Sequence, residues 1–141
     1  MNSPIFAPAA VLVLWSLVML FWMVVTRVPA LAKAGVSLAS VVGGRGGDLE
    51  GVLPDKVNWK AHNYTHLMEQ PTIFYPTIVI LALTGADSVL NVQLAWAYVI
   101  LRIVHSIVQA TWNRVAVRFG LFAISTGALL VLAINAVRAT I

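Results

Sequence analysis

NWKAHNYTHLMEQPTIFYPTIVILAL, residues 58–83, decides the fold. Its first half carries His62, His66 and Glu69 at i, i+4 and i+7, so a helix places all three on one face. Its second half, Ile73 to Leu83, is apolar apart from Thr77. Joined, the halves make a segment of about 60–84, long enough to cross ~30 Å of hydrocarbon, which takes roughly 20 residues. A polar stripe that runs into a membrane span is costly unless it faces other protein or a hydrated cavity. The rest of the chain should therefore supply further spans to cover it.

It does. Residues 6–28 are apolar apart from Ser16, Thr26 and Arg27, and this first segment is expected to stop before Pro29. A third segment covers about 89–111 and a fourth about 115–138, with Arg118 near its start. The expected fold is an all-α membrane protein, a single four-transmembrane-helix bundle spanning the chain. Composition agrees: hydrophobic residues make up 60% and charged residues 10% of 141 positions, more apolar surface than a soluble globule this small can hide. The N-terminus lacks a basic stretch and a small-residue cleavage site, so the first span is expected to be retained. With no cysteine, disulfides, thiolate metal sites and thiol nucleophiles are excluded. No internal repeat stands out.

The third segment answers the second with a stripe of its own. Arg102, His105, Gln109 and Asn113 stand at i, i+3, i+7 and i+11. A short turn, Thr84 to Ser88, joins the two segments, and Asp87 or Ser88 can cap the helix that follows. The stripes should thus face each other at matching depth. Glu69 and Arg102 are expected as mutual partners, either as packing glue or as part of a polar ligand cavity. His62, His66, Glu69 and His105 also have the spacing of metal ligands, although a di-iron centre needs more carboxylates than one. A nucleophilic triad is poorly served, because Ser106 has only distant Glu69 as an acid.

Lys and Arg counts set the expected orientation. Arg27, Lys33, Arg45, Lys56 and Lys60 crowd the long first connection, about 29–57, and Arg114 and Arg118 border the third. Both are expected in the cytoplasm, with both termini outside; Arg138 dissents. Nine basic against five acidic residues give a charge of +4, but the basic residues are scattered between apolar segments, so nucleic acid is not an expected partner. The run Gly43-Gly44-Arg45-Gly46-Gly47-Asp48 reads as a flexible loop. It lacks the Gly-Lys-Ser/Thr ending and preceding strand of a phosphate loop. The five Trp residues mostly fall at or near segment ends, where they read as interfacial anchors.

Together these motifs resemble the MAPEG family, the membrane-associated proteins of eicosanoid and glutathione metabolism, over nearly the whole chain. The family's second helix carries Arg, then Asn four residues later, then Glu three further on, commonly followed by Pro. Glu69 and Pro71 fit, while His62 stands at the Arg position and His66 at the Asn position. On the third helix the prostaglandin-E-synthase-like branch has Arg-x-x-His-x-x-x-Tyr, then Arg nine residues after the Tyr. Arg102, His105 and Arg118 match, with Gln109 in place of Tyr.

The resemblance, to a divergent bacterial-type member, implies a homotrimer in a bacterial inner membrane. It would bind glutathione as cosubstrate between subunits, its site facing the cytoplasm. It implies that Arg118 is the catalytic group, holding glutathione as the thiolate, with His62, His66, Glu69, Arg102, His105 and Gln109 as ligand-binding residues. The implied activity is a transferase or peroxidase acting on a lipophilic small molecule, an electrophile that arrives through the lipid. Two other readings stand beside it. One is a non-catalytic scaffold or accessory subunit of a larger membrane complex; the other is a metal or quinone site built on the histidines.

Overall fold

A computed structural model describes residues 3–141. Five helices make four crossings: α1 (Phe6–Lys33), the pair α2 (Asp55–Leu67) and α3 (Pro71–Leu83), α4 (Val89–Thr111) and α5 (Val115–Thr140). α1, α4 and α5 are each long and apolar enough to span a bilayer. The chain is an all-α, multi-pass integral membrane protein.

α1 continues past its expected end. Pro29 withdraws one N–H from the ladder, but Pro29-Ala30-Leu31-Ala32-Lys33 stays helical, since Ala, Leu and Lys are strong helix formers. Trp15 and Trp22 lie inside α1 and pack against the core, so these two are not end anchors. The glycine-rich run, expected as a flexible loop, closes into a 3-10 turn at Gly46–Leu49. The Asp48 carboxylate accepts from the Arg45 N–H at 2.7 Å, and Arg27 donates to the Gly46 carbonyl at 3.0 Å. Asn58, buried on α2, donates to the carbonyls of Leu49 and Leu53 and fastens the connection to the bundle.

The second crossing is broken, and the break corrects the single helix expected over 60–84. Pro71 has no N–H to return to Leu67, which removes one bond of the ladder at the joint. The joint tightens instead: the N–H groups of Met68, Glu69, Thr72 and Ile73 each bond three residues back, to Thr65, His66, Glu69 and Gln70. α3 then starts with Pro71 in its first turn, where a missing donor costs nothing.

α4 is the central helix, touching α1, α2 and α5. Its N-cap is Ser88, whose hydroxyl accepts from the Asn91 N–H at 3.3 Å, while Asp87 accepts from the Ser3 hydroxyl at 2.6 Å. Asn91 also donates to the Ala86 carbonyl and accepts from Asn135 of α5, both at 2.7 Å. Phe74 and Tyr98 stack at 4.3 Å in the middle of the core, both fully buried. Large apolar side chains such as Phe21, Val25, Leu83, Phe119 and Ile124 project outward, as acyl chains require.

Candidate functional site

α4 and α5 leave each other through Asn113, the one described non-glycine residue with a left-handed backbone, at φ 54°. Asn tolerates that conformation better than most side chains. Its amide is then placed to serve the next helix: Arg118, one turn into α5, donates Nη1–H to Asn113 Oδ1 at 2.6 Å. The guanidinium is thereby held against a cavity of about 180 Å³ lined by His66, His105, Val115, Arg118, Phe119 and Phe122. Residues from α2, α4 and α5 meet there.

The two histidines form one wall. Their rings stack with centroids 4.7 Å apart and planes 29° apart, and Phe122 meets His66 edge-on at 5.7 Å. Behind His66 lies Arg102, fully buried, its Nη2 donating to His66 Nδ1 at 2.8 Å and to the His66 carbonyl at 3.2 Å. That carbonyl sits at the broken joint, where the interrupted helix leaves room for a second donor. Arg102 Nε and Nη1 have no protein partner. The opposite wall is apolar and faces outward, since Val115 and Phe119 are 72% and 69% exposed. No carboxylate is among the lining residues, so the cavity is cationic on one side and greasy on the other.

The residues singled out from sequence divide into three groups. His66, His105 and Arg118 share the cavity, with Arg102 directly behind. Gln109 is buried one turn further along α4, its Oε1 without a protein partner. His62 and Glu69 go elsewhere. His62 turns toward the first connection and bonds Glu50, half-exposed beside a hollow that Arg27, Gly46 and Thr65 also line.

Glu69 is exposed in the joint between α2 and α3, which corrects the expected Glu69–Arg102 pair. Among the described residues the only side-chain contact within 4 Å between a basic residue and a carboxylate is His62 with Glu50. α2 ends at Leu67, so Glu69 stands in the joint, where its side chain is exposed and Arg102 bonds His66 instead. No three metal-ligating side chains gather among the described residues. Glu69→Gln should consequently change stability in detergent by less than about 0.5 kcal/mol. A loss of several kcal/mol in chemical unfolding would restore Glu69 to a buried pair.

Nothing in the sequence marks Phe122, Phe119 and Val115 as site residues. They form the cavity's apolar wall, but in an apolar span nothing distinguishes them from lipid-facing neighbours. In the sequence Asn113 is only the end of a stripe, while its service to Arg118 depends on the turn it makes. No curated protein and no solved structure matches the chain. The model of the MAPEG family matches residues 5–138, so the match runs through every helix and all the cavity residues. On that near-complete match, together with the four-crossing membrane bundle, the chain belongs to the MAPEG family.

Proposed function

We propose that this protein is a membrane glutathione-dependent transferase or peroxidase acting on lipophilic electrophiles. Family membership supports glutathione-related transferase or peroxidase chemistry at the level of the family. The observation that carries the reading for this chain is the two-sided cavity, with Arg118 and the paired imidazoles facing Val115, Phe119 and Phe122. A cation fixed beside a bound thiol lowers its pKa and favours the nucleophilic thiolate. The exposed apolar wall suits a second substrate that approaches from the acyl chains. His66, His105 and Arg118 would meet the thiol end of glutathione, with Arg102 supporting them.

In this reading His62, Glu69 and Gln109, which do not line the cavity, would contact the remainder of a tripeptide only through a neighbouring subunit. The proposed assembly is a homotrimer in a bacterial inner membrane, its first connection and cavity on the cytoplasmic side and both termini outside. Purified protein saturated with glutathione should show the ultraviolet absorbance of a thiolate at neutral pH. Absence of that signal, together with co-purification of stoichiometric membrane partners, would favour an accessory subunit instead.

A further inference from the structure

Arg102 places both of its bonds on one nitrogen, and both end on His66. A guanidinium only donates, and in proteins it keeps its proton. The ring nitrogen that meets it at 2.8 Å, Nδ1, must therefore offer a lone pair. A neutral imidazole has one N–H and one lone pair, so the proton of His66 stands on Nε2, at the other end of the ring. The imidazolium does not fit this place. Its Nδ1–H would point at another N–H, and its charge would join those of Arg102 and Arg118.

The groups around the ring support the same assignment. Arg102 and His105 face it from α4, Arg118 and Phe122 from α5, and the nearest acid on its own crossing, Glu69, is exposed beyond the end of α2.

We propose that Arg102 is a positioning residue that acts through His66, holding its imidazole neutral with Nε2–H available to the cavity. His66 and Arg118 then form a two-point donor for a single anionic atom, either a thiolate sulfur or a carboxylate or peroxide oxygen. A neutral imidazole is the better donor here, since it adds a hydrogen bond without adding a third charge. The assignment also removes His66 as a metal ligand, because its one lone pair is already taken. The nature of the anion rests on the glutathione reading above; the tautomer does not.

Nitrogen NMR on full-length protein labelled with ¹⁵N-histidine tests this, with the His66 signals assigned by their loss in His66→Gln. His66 should show a protonated Nε2 and the far-downfield resonance of an unprotonated Nδ1, both unchanged between about pH 5 and 8, where a free histidine titrates. A protonated Nδ1, or a titration midpoint in that range, overturns the proposal. Arg102→Met should release the ring into tautomer exchange and restore its titration. A folded Arg102→Met protein with an unchanged His66 spectrum also overturns it. If that variant does not fold, the wild-type spectra decide alone.

Zinc added without other ligands should leave the His66 signals in place, and a zinc-induced shift there refutes the lone-pair assignment. Glutathione separates the two readings. Saturating glutathione should move the Nε2 signal; if it moves no histidine while the tautomer is as assigned, the glutathione reading falls and the positioning role of Arg102 stands.

Discussion

Arg118→Gln should abolish the thiolate absorbance of bound glutathione and lower turnover by about 10²–10³-fold, the usual loss when one fixed donor to a developing anion is removed. The fold should survive, because Arg118 makes one side-chain bond, to Asn113, and lies one turn from the end of its helix. Arg118→Lys should recover only part of the signal. A guanidinium holds Asn113 with one nitrogen and presents others to the cavity, whereas an ammonium is a point charge without that fork. The competing role is a basic residue that merely carries its charge to the headgroups, for which Lys serves equally well and Gln costs little. Thiolate absorbance of both variants against wild type, at saturating glutathione, separates the two. Full activity in Arg118→Gln would end the catalytic assignment.

Phe74→Ala should lower the unfolding free energy by about 3 kcal/mol, whereas Phe21→Ala should change it by less than about 0.5 kcal/mol. Both are phenylalanines in membrane-crossing helices. Phe74 is fully buried against Tyr98, and truncation leaves a void that neighbouring helices fill only in part. Phe21 is 67% exposed on α1, where lipid replaces whatever is cut away. Lipid is as apolar as the ring, so packing contacts set the difference, not transfer from water. Chemical unfolding of both variants in mixed micelles measures it. Equal losses would mean that the outer face of α1 is buried by protein.

The pairing of α2 with α4 was legible because helical spacing is a strong signal. Arg102 and His105 at i and i+3, and His62 and His66 at i and i+4, required two faces that could meet, and His66, His105 and Arg102 do meet. Arg118 was legible only through the spacing it shares with a family. What spacing could not convey is where the period is interrupted. Pro71 was visible as a residue, but its consequence was not: Glu69 sits two positions earlier, in a joint where it is exposed and does not line the cavity. The apolar lining was hidden for a different reason. Inside a bilayer, Phe119 and Phe122 cost nothing on either surface, so the usual contrast between a buried and an exposed aromatic disappears.

The broken crossing also bears on how the chain enters the bilayer. α3 has 13 residues, about 20 Å of helix at 1.5 Å per residue, and falls well short of the hydrocarbon thickness. α2 can extend it only by carrying Lys60, His62 and His66 toward the membrane, side chains that an isolated helix would be charged heavily to insert. α4 meets the opposite difficulty, since Arg102 sits near its middle. Each is a poor substrate for the insertion machinery alone. Released together as a hairpin through the turn at Thr84–Ser88, they present Arg102 and His66 to each other, so this pair of crossings should integrate as one unit after α1.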